Sequence, residues 1–467
     1  MSDKYDADFE DDEEYEDDYD DPESEFDARR LARHKRRVRN QVLAYITLFI
    51  LIALLGFGIY KGAAFAIGYF KNRKPQELPA PSVNEAVVSE DAPGVIMTPD
   101  AISEDSVSED TVSVDEVPVE VAVPENPEAR AYIDNMTLEQ KVANLFIISP
   151  EALTGVTTAT AAGDGTKAAL EKYAVGGIIY SGKNITGADQ FKGMTANTQD
   201  FYNQLYNTDV FLAVREEGAV NILAGSAAGV TAVTGASATE SSDDAYTSYL
   251  TVGNYLDEYG LNMDIAPVCD VKITDGSYIG DRSFGDDAAS VSDMITSSVG
   301  ALYEMGISPC IVSFPGYGDV TGNPANGAVS TERTKEEMEQ CEFLPFKAGI
   351  DAGADAVLVS HLQAPNVTGD DLPASLSSVM ITDILRGDLG FNGIVITDSM
   401  NMAAITGSYT AGDAAVMAIQ AGADMILEPA DFAGAYNAVL DAVNNGTLTE
   451  ERIDESLMRI YSVKFGD

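Results

Sequence analysis

The hydrophobic residues of this chain take up a regular rhythm near residue 130 and keep it to the C-terminus. Short apolar runs alternate with longer amphipathic stretches, as in repeated strand and helix units. Eight such runs predict an α/β fold, a (β/α)8 TIM-type barrel over residues 131–467, with an open, doubly wound sheet as the alternative. The predicted strands are residues 144–149, 177–180, 210–214, 263–268, 309–313, 356–360, 393–397 and 424–427.

The seventh predicted strand, residues 393–397, is followed directly by a carboxylate. Its Ile and Val residues do not alternate with polar ones, which is typical of a strand buried on both faces. In a barrel, the residues after such a strand line the mouth, where barrel enzymes carry their catalytic groups. Asp398 is therefore the first candidate catalytic residue. The alternative is that Asp398 only caps the N-terminus of the next helix.

Polar residues also follow most of the other predicted strands. They are Arg215, Glu216 and Glu217 after the third strand, Asp270 after the fourth, Tyr317 and Asp319 after the fifth, His361 after the sixth and Glu428 after the eighth. Several carboxylates at one mouth suit a glycosidase, which needs a nucleophile and a proton donor a few ångströms apart. Any barrel mouth is polar, so polarity by itself does not establish an enzyme.

Residues 42–60 form a run of nineteen residues without a charge, rich in Leu, Ile, Phe and Ala. This length is enough for a helix to cross a bilayer, so residues 41–61 are predicted to be a transmembrane helix, with a buried core helix as the alternative. A cleaved signal peptide is not expected, because a long segment precedes the run. Seven Lys or Arg residues at 29–39 against four at 61–74 predict a single-pass protein of the cell membrane, with a cytoplasmic N-terminus and an extracytoplasmic barrel.

Acidic segments lie on both sides of this run. Residues 1–27 hold sixteen acids and one Lys, so residues 1–40 are predicted to be a disordered cytoplasmic tail, acidic and then basic, with unknown protein partners. Residues 75–127 hold thirteen acids and no Lys or Arg. Residues 62–130 are accordingly predicted to be a disordered, extended acidic linker.

The overall charge and the cysteines restrict the possible functions. The chain has 28 Lys and Arg against 76 Asp and Glu, which argues against nucleic acid as a partner, since phosphate binding needs a basic face. Cys269, Cys310 and Cys341 form no CxxC pair, so neither a disulfide framework nor a zinc site is predicted. We interpret them as core or near-core thiols. Nothing in the sequence calls for a metal or an organic cofactor.

Five segments carry longer motifs: MTLEQKV at 136–142, NMDIAPVCDV at 262–271, GDRSFGDD at 280–287, LRGDLGFNG at 385–393 and ERIDESLMRI at 451–460. In this order they resemble glycoside hydrolase family 3, in particular its single-barrel bacterial β-N-acetylhexosaminidases. The resemblance implies a barrel that hydrolyses cell-wall N-acetylglucosaminides with retention, with Asp398 as the nucleophile. It also implies that Arg282 and His361 lie near the sugar, although a structural role is open for each.

The chain departs from the family in two mouth loops. The family has Lys-His before a Phe-Pro-Gly turn and then an Asp-Ser-His whose His, paired with the Asp, supplies the proton. This chain has Val and Ser at 312–313, and Asn323 and Ala325 in place of the dyad. Neither Asn nor Ala can donate a proton near neutral pH. After the third strand, the family's Asp-x-Glu-Gly-Gly begins here with Arg215.

Two functions therefore stay open. The first is a membrane-anchored hydrolase of family 3 type, weak or served by a substitute acid, with Asp319 ranked ahead of Glu216 and Glu217. Asp319 could instead only tie down its glycine-rich turn. The second is a catalytically inactive sugar-binding or scaffold protein, its pocket adapted by Arg215 and Tyr317 to another ligand. The first predicts a glycan or peptidoglycan fragment as substrate, and a sugar-binding protein would hold such a fragment without turnover.

Overall fold

A computed structural model of the protein describes residues 123–218 and 221–466, and its centre is a sheet of parallel strands. Eight strands form this sheet, and two short ones, β6 and β8, pair with each other beside it. The strands in chain order are β1 Phe146–Ile148, β2 Gly177–Ile179, β3 Phe211–Val214, β4 Met263–Asp264, β5 Ser308–Phe314, β6 Val329–Ser330, β7 Ala356–Val359, β8 Leu362–Gln363, β9 Ile394–Thr397 and β10 Ile426–Leu427.

The eight-stranded sheet closes into a barrel. Its strands pair in the order β10-β1-β2-β3-β4-β5-β7-β9, every pair parallel. The remaining gap, between β9 and β10, is bridged by a parallel pairing of Ile396 with Met425. Two backbone hydrogen bonds complete this bridge, from Thr397 N to Met425 O and from Met425 N to Val395 O, each 3.0 Å long. The predicted barrel is confirmed, and the doubly wound alternative is wrong.

Several strands are shorter than the hydrophobic runs that predicted them. The fourth run covers residues 263–268, whereas β4 ends at Asp264. Pro267 has no N–H to donate to a ladder, and beyond it the pairing resumes only as a single bridge between Val268 and Val312. The sequence did not predict the β6 and β8 ribbon, since strands of two residues carry no readable periodicity.

Helices connect the strands and cover the outside of the barrel. Many of them begin at a Ser, Thr, Asp or Asn that accepts a hydrogen bond from the first turn. They are α1 Pro127–Ile133, α2 Leu138–Ala143, α3 Pro150–Thr154, α4 Asp164–Lys172, α5 Ala188–Tyr206, α6 Ser242–Glu258, α7 Ala288–Glu304, α8 Lys335–Glu339, α9 Phe343–Asp351, α10 Pro365–Thr368, a π-helix at Val379–Asp388, α11 Ala403–Thr406, α12 Ala411–Ala421, α13 Phe432–Asn444 and α14 Glu450–Phe465.

The core consists of the strand residues together with the inward faces of these helices, and all residues of β1, β3, β5, β7 and β9 are buried. Cys269 and Cys310 are buried and Cys341 is partly buried, all three as free thiols, which confirms their interpretation as core or near-core residues. Within residues 123–466, no helix is long and apolar enough to span a bilayer. The predicted transmembrane helix at 41–61, the acidic tail and nearly all of the linker lie outside the described residues.

A buried ion-pair cluster joins the last strands to the last helix at the end of the barrel opposite Asp398. The carboxylate of Asp424 accepts hydrogen bonds from Arg386 at 2.6 Å, Arg459 at 3.1 Å, Ser456 at 2.8 Å and the backbone N–H of Val395 at 2.9 Å. Burial alone would raise the pKa of Asp424, but the arginines outweigh this effect and hold the pKa below its ordinary value. The motifs at 385–393 and 451–460 therefore serve the stability of the barrel.

Candidate active site

Asp398 lies at the mouth of the barrel, immediately after β9. Its carboxylate is buried, and its Oδ1 atom accepts two hydrogen bonds of 2.8 Å, from the backbone N–H of Ser399 and from Nη2 of Arg215. The next helix begins at Ala403, has Met402 as its N-cap and lacks a side-chain capping bond. The interpretation of Asp398 as a helix cap is therefore wrong.

Two arginines and two carboxylates alternate at this mouth. Arg215 contacts Asp398 at 2.8 Å and also lies 3.6 Å from a carboxylate oxygen of Glu217. Arg282 donates two hydrogen bonds to the same Glu217, from Nε at 2.6 Å and from Nη2 at 2.8 Å. We call the series Asp398, Arg215, Glu217 and Arg282 the ion-pair chain. It gives Arg282 the role of a clamp on a buried carboxylate.

The ion-pair chain fixes the charge states of its members. Burial alone would raise the pKa of Asp398, but Arg215, followed by His361 and the Ser399 N–H, outweighs burial and lowers the pKa. Burial alone would lower the pKa of Arg215 and of Arg282, but the neighbouring carboxylates outweigh it and raise both pKa values. Asp398 is therefore an ionised carboxylate with a guanidinium bound to one of its oxygens.

His361 lies behind Asp398 and is fully buried. Its Nε2 atom lies 3.1 Å from the carbonyl oxygen of Ser399, and its Nδ1 atom lies 2.8 Å from Oγ of Ser375. A carbonyl only accepts hydrogen bonds, so Nε2 must carry the proton and Nδ1 accepts from the hydroxyl. Burial lowers the pKa of His361 and favours this neutral form. His361 thus orients the Asp398 and Ser399 segment, and both of its nitrogens are occupied.

Tyr317 fills the space beside His361 rather than lining an open pocket. Its side chain is buried, and its hydroxyl accepts a 3.0 Å hydrogen bond from the His361 backbone N–H. Asp270 holds the preceding turn by accepting from the backbone N–H groups of Ser313, at 2.9 Å, and Tyr317, at 2.6 Å. Burial raises the pKa of Asp270 to about 6, although these two hydrogen bonds oppose the change. Asp270 is thus a positioning residue for the loop after β5.

Asp319, the proposed substitute acid, and Asn323, which replaces the acid of the family's dyad, both make contacts with nearby loop residues. Asp319 accepts a hydrogen bond from Oγ1 of Thr331, so it links the loop after β5 to the segment after β6. Asn323 is exposed and accepts a 2.8 Å hydrogen bond from the N–H of Ala325, which caps a short 3-10 turn. Both contacts are structural, in line with the alternative role for Asp319.

Glu216 faces away from the mouth, unlike its neighbour Glu217. Its two oxygens accept hydrogen bonds from the N–H of Leu223 at 2.5 Å and from the hydroxyl of Tyr255 at 2.9 Å. Burial, as the largest effect, raises the pKa of Glu216 to about 7. Since successive side chains of an extended segment point in opposite directions, these adjacent acids serve different surroundings.

The sequence reasoning did not single out Tyr278. This half-buried side chain packs edge-on against Tyr317, with ring centroids 5.2 Å apart, and lies 6.0 Å from the guanidinium carbon of Arg282. Its position two residues before the Gly-Asp-Arg motif was the available clue. Among the described residues, no group of three or more His, Cys, Asp or Glu side chains is arranged to hold a metal ion.

The chain is similar to known proteins over most of the barrel. Residues 137–463 match the sequence model of the glycosyl hydrolase family 3 N-terminal domain. The chain belongs to glycosyl hydrolase family 3. This match spans nearly all of the described barrel and confirms the resemblance carried by the five motifs.

Relatives in this family carry hexosaminidase names. The chain is 31% identical over 268 residues to the β-hexosaminidase of Chromobacterium violaceum, covering 56% of this chain and 73% of that protein. It is 32% identical over 221 residues to β-hexosaminidase LpqI of Mycobacterium tuberculosis, covering 45% of this chain and 56% of that protein. The second match thus spans about half of its relative.

Solved structures of the family share the fold. The family 3 β-N-acetylglucosaminidase of a Paenibacillus species superposes with a TM-score of 0.66 at 33% identity, covering 70% of this chain and 62% of that one. A family 3 member from Mycobacterium smegmatis gives a TM-score of 0.62 at 29% identity, covering 71% of this chain and 98% of that one. The barrel is therefore similar to the β-N-acetylhexosaminidases of family 3.

Proposed function

We propose that this family 3 barrel binds glycans of the β-N-acetylhexosaminide class and holds them without efficient hydrolysis. The observation that carries the proposal is the 2.8 Å contact between Arg215 and Asp398, at the position where the family motif has its nucleophile. The names of the relatives supply the ligand class.

Two chemical requirements of a retaining glycosidase are compromised in this site. The nucleophile must donate an electron pair to the anomeric carbon, and a guanidinium bound to the carboxylate withdraws electron density from it. The leaving oxygen must receive a proton, and the positions of the family's dyad carry Asn323 and Ala325. Loss of a positioned general acid alone costs about two to four orders of magnitude in rate.

A weak hydrolase is the second candidate, and the second oxygen of Asp398 favours it. Within the described part of the chain, both hydrogen bonds of this carboxylate go to Oδ1, so Oδ2 accepts none there. The low pKa keeps the carboxylate ionised. A substrate whose leaving group needs no protonation could react at Oδ2. For a leaving group that does need a proton, Asp319 is the substitute acid that this candidate invokes.

One experiment separates the two candidates. The protein is incubated with a chromogenic β-N-acetylglucosaminide that has a good leaving group, and with a fluorinated N-acetylglucosaminyl donor that traps a covalent adduct on a nucleophile. The binding proposal predicts saturable binding without turnover and an unmodified Asp398 in the peptide mass spectrum. Turnover and labelling that both disappear in Asp398→Asn would refute the proposal and establish the weak hydrolase.

We further propose that the protein is anchored in the cell membrane through residues 41–61, with residues 1–40 in the cytoplasm and the barrel outside, near peptidoglycan. The nineteen uncharged residues and the excess of Lys and Arg before them support this topology. Protease treatment of intact, wall-stripped cells tests it. Removal of the barrel with protection of an N-terminal tag is expected, and the opposite pattern would overturn the topology.

A further inference from the structure

Within the ion-pair chain, the cations are more exposed than the acids. The side chains of Arg215 and Arg282 are 21% and 19% exposed, whereas those of Asp398 and Glu217 are 6% and 0% exposed. A ligand that reaches the ion-pair chain therefore meets its guanidinium groups before its carboxylates, although the four charges sum to zero and the partly exposed Glu428 follows a barrel strand at the same mouth. This arrangement allows an anionic group of a ligand to contact the two guanidiniums directly.

Both guanidiniums retain free donors. A guanidinium carries five N–H groups in a planar fork that matches the oxygens of a carboxylate or a phosphate. In the described part of the chain, Arg215 donates one hydrogen bond to Asp398, and Arg282 donates two to Glu217. Since both side chains are also partly exposed, further N–H groups of each are available to an anion.

An aromatic side chain adjoins these donors. Tyr278 is partly exposed and lies beside Arg282, and its ring rests against the buried ring of Tyr317. Burial is the largest influence on the pKa of Tyr278 and raises it, while Arg282, Asp398, Arg215 and Glu217 all act on the same hydroxyl. Tyr278 therefore lies beside the Arg282 end of the ion-pair chain and offers a face on which an apolar sugar surface can pack.

We propose that the site takes pyranosides that carry an anionic group, with that group bound by Arg215 and Arg282 and the sugar ring against Tyr278. Asp398 is then an internal anion that competes with the ligand for Arg215. The proposal rests on the glycan-binding function above and names the chemical class of its ligand. Carboxylates and phosphates share the chemistry that a guanidinium fork recognises.

Because the protein is strongly acidic, recognition of an anionic ligand must depend on short-range contacts. The chain has a formal net charge of -48, which repels anions at a distance. At physiological ionic strength, charges more than about 8 Å away are largely screened. Binding of an anionic sugar must therefore come from direct contact with the two guanidiniums, so it should depend on single residues of the ion-pair chain.

The test measures the affinity of the full-length chain by titration calorimetry for three matched ligands. They are methyl β-N-acetylglucosaminide, the same sugar with a carboxylate at C6, and the same sugar with a phosphate on O6. At least one anionic ligand is expected to bind about tenfold tighter than the neutral one, a difference of about 1.4 kcal/mol. The arm with the higher affinity identifies carboxylate or phosphate as the group recognised.

Three variants of the ion-pair chain give the sharper readout. Asp398→Asn removes the internal anion, so affinity for the anionic ligand is expected to rise about tenfold relative to affinity for the neutral sugar. Arg215→Gln is expected to abolish the preference for the anionic ligand, and Arg215→Lys to retain part of it. Thermal unfolding of each variant confirms that it is folded before its affinity is compared.

The outcomes are distinguishable. Binding of the neutral sugar as tight as that of both anionic ligands would overturn this inference and leave the glycan-binding function intact. Absence of binding for all three ligands would refute the glycan-binding function together with the inference. An unchanged preference of Asp398→Asn for the anionic ligands over the neutral sugar would also overturn the inference, because loss of a competing carboxylate must raise that preference in a folded protein.

Discussion

The pairing of Arg215 with Asp398 can be tested by a double-mutant cycle of Arg215→Gln and Asp398→Asn. At 2.8 Å and an effective dielectric constant of 20, the gross attraction of the two charges is about 6 kcal/mol. Desolvation of Asp398 and the partial exposure of Arg215 oppose this gain. We therefore expect a coupling free energy of about 1.5–3 kcal/mol between the two positions.

The assay is urea unfolding of the wild type, both single variants and the double variant, followed by circular dichroism. Arg215→Gln leaves an uncompensated buried carboxylate and is expected to cost about 3 kcal/mol. Asp398→Asn leaves a partly exposed guanidinium that still faces Glu217, so its cost is expected to be smaller. The double variant should be more stable than the sum of the two costs predicts.

A matched control comes from an exposed pair on α9. Lys347 and Asp351 form an ion pair four residues apart, with side chains 47% and 62% exposed. The corresponding cycle, Lys347→Gln with Asp351→Asn, is expected to give a coupling of about 0.5 kcal/mol or less. If the cycle at the mouth gave no more than this control, Arg215 would not hold Asp398 in solution, and the proposed loss of hydrolysis would lack its basis.

Three further outcomes are expected. Combined R215D, N323D and A325H substitutions restore the family's residue types, so turnover of a chromogenic N-acetylglucosaminide should rise at least tenfold over wild type; no increase would show that other residues block catalysis. Asp424→Asn removes a buried anion that contacts three arginines, so it should lower the free energy of unfolding in urea by about 3–5 kcal/mol. Because the pKa of Asp424 is lowered, the stabilisation that it provides is present above its unfolded-state pKa and is lost as pH falls through the folded value. The pKa of Glu216 is instead raised to about 7, so the free energy of unfolding is expected to fall by up to about 3 kcal/mol as pH rises from about 4.5 to about 7. Glu216→Gln should reduce this fall between about pH 5 and 8.

Local patterns in the sequence were enough to predict the barrel and the position of its candidate nucleophile. A run such as residues 393–397 can be recognised as a strand from the sequence alone, because a strand buried on both faces must be apolar throughout. The direction of parallel strands then fixes the end at which Asp398 lies. The short strands β6 and β8 show no such pattern. Pro267 lacks the N–H that would extend β4, and the hydrophobic pattern does not reveal this.

The tertiary structure alone decided the contacts between these residues. Arg215 and Asp398 are 183 positions apart in the chain, and closure of the barrel brings them to 2.8 Å. The adjacent acids Glu216 and Glu217 are equivalent in sequence, yet one is bonded in the interior and the other lies between two arginines. The sequence by itself determined which loops contribute residues to the mouth, because strand position is a local property. Which of them meet, and with what charge, depends on strands from distant parts of the chain and on burial, and so only the folded barrel decides it.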